Sequence, residues 1–359
     1  MSTVQTSRLH RGSIARAPIA LLVTLASIAM AWIFLNSYIA AHASGVIEVP
    51  TQPLPWGIAF DNNAHVWVAE PGCDPAPACS SAFPATIGEY NLSNASLVKN
   101  YNEPSGFSSP LFLAIDGSGN IWFTELNSNA IGELTPSSST WNQWSVPTAN
   151  SVPYDLLFDS RGNLWFTEFS GNKIGFFNTT THTFIETATP TANSHPYGIT
   201  RTTGGKIWFA ENNAGKIGSF SPTKSGKITI SEHPITAQSP HLITSDKSGN
   251  IWYSEGFAGK IGKFVPGSNK SQDFNVSCSC SGGIHISGIA VDSRGRIWFD
   301  DSLSARVGYY NPATGTVTTL TLSYSNAHPH DGLGLDSSGN TWFTEEFANK
   351  LGEIPAGSL

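Results

Sequence analysis

A seven-bladed β-propeller of four-stranded blades is the fold class predicted by three features of this 359-residue sequence. They are a phrase repeated seven times, a spare strand ahead of the repeats, and a composition rich in turn formers. The phrase is Gly-Asn-Ile-Trp-Phe-Thr-Glu followed by Asn-x-Ile-Gly. Its Trp falls at Trp67, Trp122, Trp165, Trp208, Trp252, Trp298 and Trp342, with spacings of 55, 43, 43, 44, 46 and 44. A period of about 40–45 residues with four strand-like pieces per unit marks a propeller. Gly (34) and Pro (22) are plentiful and only 13 % of residues are charged, which suits short strands joined by turns rather than helices.

Each unit reads in the same order. A first strand opens at Pro-x-Gly-Ile, as in Pro196-Tyr197-Gly198-Ile199. A polar turn such as Asp116-Gly117-Ser118-Gly119-Asn120 follows. The second strand is Ile-Trp-Phe-Thr-Glu, and the third is Ile-Gly-x-Phe/Tyr. The fourth alternates polar and apolar residues, as in Thr140-Trp141-Asn142-Gln143-Trp144-Ser145-Val146. The recurrent Trp is read as packing between blades, because a large ring on a strand buries against the next sheet. The last unit stops at Gly352-Glu353-Ile354 without a fourth strand. Residues 45–51 resemble one, so they are predicted to complete blade seven and close the ring.

Ahead of the propeller (45–359), residues 18–40 read as a membrane-spanning anchor. Pro18 to Ile39 carry no charge and are long enough for a ~30 Å hydrocarbon layer. Arg8, Arg11 and Arg16 precede them, which places a tail of residues 1–17 in the cytoplasm and the propeller outside. Ala41-His42-Ala43 resembles a cleavage site, so a removed signal peptide ending near residue 43 is the alternative. Sequons begin at Asn91, Asn94, Asn178, Asn269 and Asn275. The cysteines form two close pairs, Cys73/Cys79 and Cys278/Cys280, whose spacing suits disulfides outside the cell better than metal. The chain carries a net charge of −7, and beyond residue 43 it holds 16 basic against 26 acidic residues. That excludes a nucleic-acid partner, which requires a basic face.

In an up-and-down blade, the start of strand one and the end of strand two meet at one mouth of the central channel. Every second strand ends in an acid: Glu70, Glu125, Glu168, Glu211, Glu255, Asp301 and Glu345. The slot after the strand-one Pro varies: Trp56, Leu111, Tyr154, Tyr197, His241, Ser287 and Asp331, with His285, His328 and His330 close by. A ring of carboxylates beneath an uneven collar is therefore expected at the mouth. Variation on a regular scaffold is where binding specificity lies. The insertion 71–85 and the Cys278/Cys280 loop fall on this same face.

The units Pro-Tyr-Gly-Ile…Gly-Lys-Ile-Trp-Phe-Ala-Glu…Gly-Lys-Ile-Gly resemble the streptogramin B lyase (virginiamycin B lyase) propellers over residues 45–359. The resemblance implies a magnesium-dependent carbon–oxygen lyase that opens a cyclic peptide lactone by elimination. It implies a His base in the last blade and a metal held by carboxylates. Glu345 matches the family's strand-two Glu. Counting back from it without a gap puts Asp331 in the base slot and Pro329 in the second metal-Glu slot. A one-residue shift restores Pro329-His330 and leaves His328 in the Glu slot. Ser287 occupies the slot of the penultimate blade's His, with His285 two residues earlier.

Two functions follow. The first is a lyase-like enzyme at the mouth, with His330 or Asp331 as base. Glu345 then aids a divalent ion such as magnesium, with Asp301 or Glu255 as the second carboxylate. The second is a non-catalytic surface module that binds a small molecule, peptide, glycan or envelope protein through Trp56, Tyr154, Tyr197, His241, His285 and Ser287.

Overall fold

The computed structural model describes residues 45–73, 83–278 and 282–359. They form seven four-stranded sheets. Blade one holds Ile58–Phe60, His65–Glu70, Thr86–Asn91 and Leu97–Asn102. Blades two to six repeat that order as far as Thr316–Thr321. Blade seven holds Pro329–Leu335, Thr341–Glu345 and Lys350–Ile354, and its fourth strand is Ile47–Pro50. Ile47 lies opposite Glu353 and Pro50 opposite Lys350 in an antiparallel pair. The spare strand read from the sequence thus seals the ring.

The predicted span 18–40 and Ala41-His42-Ala43 lie outside the described residues. Among the described residues no helix is long and apolar enough to cross a membrane. Cys73 and Cys278 are both disulfide-bonded, while Cys79 and Cys280 lie outside the described residues.

The repeated phrase is a packing unit. Each strand-two Trp is buried, and three show the contact with the neighbouring blade: Trp122 against Phe177 at 5.8 Å, Trp165 against Phe220 at 4.8 Å, Trp208 against Phe264 at 5.6 Å. The polar turn before it is tied to the same ring. The Trp122 indole N–H donates to Asp116 Oδ2 at 3.1 Å, and Asp116 Oδ1 accepts the backbone N–H groups of Ser118 and Asn120. Six blades share this Asp–Trp bond. In blade four, Thr202 stands where the Asp is elsewhere, and Lys206 lies over Trp208 instead.

The Phe after the Trp explains the Ile-Gly of strand three. Phe166 lies directly opposite Gly175, and Phe209 opposite Gly218. A Cβ at either glycine would fall inside the opposing ring. The rings therefore lie flat over strand three, and the glycines are spaces for them.

The strand-two acids of blades three, four and seven lie beside a lysine and a second carboxylate of their own blades. Glu168 lies opposite Lys173 in the ladder, and Lys173 Nζ reaches Glu186 of strand four at 2.9 Å. Glu211, Lys216 and Glu232 repeat the arrangement, with Lys216 Nζ 2.6 Å from Glu232. In blade seven Lys350, opposite Glu345, pairs with Glu48 at 2.7 Å. Burial pushes Glu168, Glu211 and Glu345 up to about 8; the strand-four carboxylate adds to this and the lysine opposes it. Glu186 and Glu232 are held low, because hydrogen bonds from lysine and threonine outweigh their burial. The trios of blades three and four thus each hold one lysine, one ionised carboxylate and one protonated carboxyl at neutral pH.

Two outcomes follow. Gly175→Ala should lower unfolding free energy by more than ~2 kcal/mol through overpacking. Pairing it with Phe166→Leu should return part of that loss; strict additivity in a urea-denaturation cycle would overturn the account. The second concerns pH. Glu168 and Glu211 bind protons more tightly folded than unfolded, so their contribution is complete below about 4.5 and is lost as pH rises towards 8. Glu186 and Glu232 contribute above their unfolded value and lose it as pH falls. Thermal midpoints should peak near pH ~5 and fall several degrees by pH ~9. Glu168→Gln with Glu211→Gln should flatten the alkaline limb, and an unchanged slope would refute the assignment.

Candidate active site at the channel mouth

The collar is aimed by bonds between blades. The strand-two Thr or Ser before each acid donates its hydroxyl to the collar carbonyl of the next blade. Thr124 reaches Tyr154 O at 2.6 Å, Thr167 reaches Tyr197 O at 2.6 Å, and Ser254 reaches Ser287 O at 2.6 Å. Thr344 reaches Trp56 O at 2.8 Å and carries the pattern across the closure. In blades one and four, where the slot is Ala, backbone bonds serve: Gly57 N to Leu111 O and Gly198 N to His241 O.

Above this lattice the side chains make a circuit of rings. Centroid distances run Phe112–Tyr154 5.4 Å, Tyr154–Tyr197 4.1 Å, Tyr197–His241 5.1 Å, His241–His285 5.1 Å, His285–His330 5.2 Å and His330–Trp56 4.8 Å. Trp56, Tyr154, Tyr197 and His241 stand where the sequence pattern puts them. In blades six and seven the rings come from His285 and His330. Ser287 and Asp331, which the repeat spacing aligns with the collar, are buried: Ser287 bonds to blade seven, and Asp331 reaches the tyrosines of blades three and four.

An extra residue in blade seven separates His330 from Asp331. In blades two, three, four and six, strand one has a bulge in which a three-residue step faces a two-residue step, as from Pro153 opposite Glu168 to Leu156 opposite Phe166. In blade seven Pro329 lies opposite Glu345 and Leu333 opposite Phe343, a four-residue step facing two. Asp331 absorbs the excess in the left-handed region, at φ 59°. Its carboxylate crosses the ring to blades three and four. Tyr154 Oη donates to Oδ2 at 2.9 Å and Tyr197 Oη at 3.1 Å, and the two phenol oxygens also touch each other.

Burial favours the acid form of Asp331, but positive charge on the His330 and His241 imidazoles and the Tyr154 hydrogen bond oppose that and hold it below the usual carboxylate range. The surroundings move the other way. Burial, then the charge of Asp331, pushes both tyrosines far up, so they stay hydrogen-bond donors. Burial also pushes Asp155 up to about 7 and Asp300 up to about 8. His285 is pushed down to about 3 by burial and then by neighbouring His330 and His241. His241 is lowered by burial. Both are neutral imidazoles at physiological pH.

His330 is placed differently. Its Nδ1 is buried without a hydrogen-bond partner and lies 3.9 Å from Asp331 Oδ2. His241, His285 and His328 instead have Nδ1 engaged by Ser239 O, Ser302 Oγ and Glu346 Oε2. Trp56 Nε1 and Asp331 Oδ1 are likewise buried and unpartnered beside His330. A positive charge on His330 and a negative charge on Asp331, 3.9 Å apart, stabilise one another.

The places that the family resemblance assigns to a divalent ion do not make a ligand set. Glu345 lies opposite Lys350, which is paired with Glu48, and both its own carboxyl oxygens are buried without a hydrogen-bond partner. Asp301 binds Arg306 Nε at 2.8 Å and the His285 N–H at 2.9 Å. His328, in the second Glu slot, bonds Glu346 at 2.8 Å. Glu255 adjoins Asp273 and Lys260. Among the described residues no group of three His, Cys, Asp or Glu side chains could hold a metal ion.

Apolar side chains rim the mouth. Phe257, 73 % exposed, lies 4.4 Å from the His285 ring, and exposed Phe347 stacks on His328 at 4.2 Å. Neither Phe257 nor Phe112 stands out in the sequence, because hydrophobic loop residues carry no motif. Asp300 does carry a signal: it is the one carboxylate in a slot that otherwise holds Thr, Ser or Ala.

No curated protein matches the sequence. A streptogramin B lyase structure shares 25 % identity at a TM-score of 0.73, covering 86 % of this chain and 96 % of that one. A catalytically inactive virginiamycin B lyase from Staphylococcus aureus with quinupristin shares 24 %, also at 0.73, over 86 % and 98 %. The extracellular domain of the putative hybrid two-component system BT3049 from B. thetaiotaomicron shares the fold at 17 % identity and a TM-score of 0.62, over 85 % and 39 %. The sequence model of the virginiamycin B lyase family matches residues 108–358, and the chain therefore belongs to the virginiamycin B lyase family.

Proposed function

We propose that the chain is a carbon–oxygen lyase-like enzyme that acts on a small cyclic peptide ester at the channel mouth, with His330 as the base. The observation that carries this reading is the free Nδ1 of buried His330, 3.9 Å from the Asp331 carboxyl oxygen. His330 takes the proton on the carbon α to an acyl group. The electron pair forms a C=C bond, the neighbouring C–O bond breaks, and its electrons leave on the carboxylate. Asp331 holds the imidazolium that forms. The neutral rings of His241 and His285 and the apolar Phe257 give a ligand a flat, largely uncharged bed. No step is routed through a metal ion, because the side chains in the family's metal positions do not come together as a ligand set among the described residues.

The sequence of residues 1–44 supports an extracytoplasmic, membrane-anchored propeller. The extracellular BT3049 domain, which shares the fold, is in keeping with that side of the membrane. A binding module for a peptide, glycan or envelope protein is the second reading, favoured by the exposure of Phe257 directly over His285.

Quinupristin separates the two. Elimination opens its ring without changing its mass, whereas hydrolysis adds one water. The full-length protein should convert quinupristin to a product of altered retention and unchanged mass. His330→Ala should cut the rate at least ~100-fold, and Phe257→Ser should weaken binding with a smaller effect on turnover. Binding by calorimetry without conversion, lost in Phe257→Ser, would establish the second reading and end the first.

A further inference from the structure

The lattice of strand-two hydroxyls has one exception, and it sits beneath the inserted residue. Where blades two, three, five and seven place Thr or Ser, blade six has Asp300, fully buried. Asp300 Oδ1 accepts the Gly288 N–H at 2.8 Å and the Ser287 hydroxyl at 2.9 Å. The Ser287 oxygen in turn accepts the Asp331 N–H at 3.0 Å. A carboxyl group, a hydroxyl and a backbone amide are thus linked across the joint between blades six and seven. The chain ends on the residue that the widened bulge forces into the left-handed region.

An Asp in that conformation is sterically disfavoured, so something must hold it there. Two sets of contacts do. From below, Ser287 fixes the Asp331 amide; from across the channel, Tyr154 and Tyr197 fix its carboxylate. The amide bond decides which way the carboxylate points, since it sets the rotation of the peptide on which the side chain is carried. Asp300 matters because Ser287 has only one proton to donate. An acceptor at Asp300 Oδ1 draws that proton downward and leaves the serine lone pairs for Asp331. A hydroxyl in the Asp300 slot, as in the repeat, would donate to a carbonyl of blade seven and compete for the same joint. Asp300 and the extra residue therefore belong together: one breaks the hydroxyl pattern where the other breaks the bulge pattern.

We propose that Asp300 and Ser287 are positioning residues that hold the inserted Asp331 across the channel, against Tyr154 and Tyr197 and beside His330. Neither touches a ligand. If the catalytic reading above fails, this arrangement stands, because it rests on hydrogen-bond geometry within the collar.

The test uses full-length protein labelled with 3-fluorotyrosine, whose fluorine resonance follows the hydrogen bonding of each phenol. Tyr154→Phe and Tyr197→Phe assign the two signals, and Asp331→Asn shows where they move when the carboxylate is lost. Ser287→Ala and Asp300→Thr should displace both signals in the direction of Asp331→Asn. Ser287→Thr and Asp300→Asn keep the hydroxyl and the acceptor oxygen, and should leave them at the wild-type positions. Signals that stay in place in Ser287→Ala while Asp331→Asn moves them would overturn the proposal. Signals unmoved by Asp331→Asn would overturn it too, by removing the bond being positioned. Should Asp300→Thr fail to fold, Ser287→Ala, which removes a single oxygen, decides alone. No ligand or turnover is involved, so failure here is distinct from failure to open quinupristin.

Discussion

The seating of an aromatic ring over a glycine governs this molecule. Strand two offers Trp to the neighbouring blade and Phe to strand three, and strand three answers with glycine directly opposite. Because the Phe lies flat within its own blade, the Trp is free to bridge to the next. The turn aspartate then fixes the Trp indole, so turn, strand and inter-blade contact are set together. A blade built this way has little freedom in tilt, and tilt determines where the inner strand places its first residues. The collar can vary freely because the scaffold beneath it does not.

That separation explains what the sequence discloses. The blades are legible because a repeated phrase reports a repeated packing problem, and the closure is legible because one blade lacks a strand that another segment supplies. The acids ending strand two were legible as a set, but not in orientation. They recur like a binding ring, yet Glu168, Glu211 and Glu345 each face the lysine opposite them and the carboxylate of strand four. Nothing in a strand's alternation tells whether a terminal side chain leans inward or outward.

The collar shows a sharper limit. Repeat spacing aligns Ser287 and Asp331 with Tyr154 and Tyr197, and by counting alone they belong to the mouth. The rings that complete the circuit come from His285 and His330 instead. In blade seven the cause is the widened bulge, where one added residue is absorbed locally rather than shifting the strand. A single insertion is visible in a sequence as an ambiguity of alignment. Only the backbone shows that both alignments are realised at once, one residue serving the mouth and the next the interior.

The closure has a consequence for how the chain comes to be folded. Within blades one to six every strand pairs with a strand nearby in sequence, so each sheet can form as soon as its segment emerges. Blade seven pairs Glu48 with Lys350, 302 residues apart. During synthesis the opening strand must wait, unpaired, for the whole chain to be made, and an unpaired edge is the part of a sheet most prone to join the wrong partner. Its four residues carry an answer in their composition. Ile47 and Val49 alternate with Glu48, and Pro50 has no N–H to offer. A short strand with an acid in its middle and a proline at its end is a poor template for a stranger, yet it fits the one lysine placed to receive it.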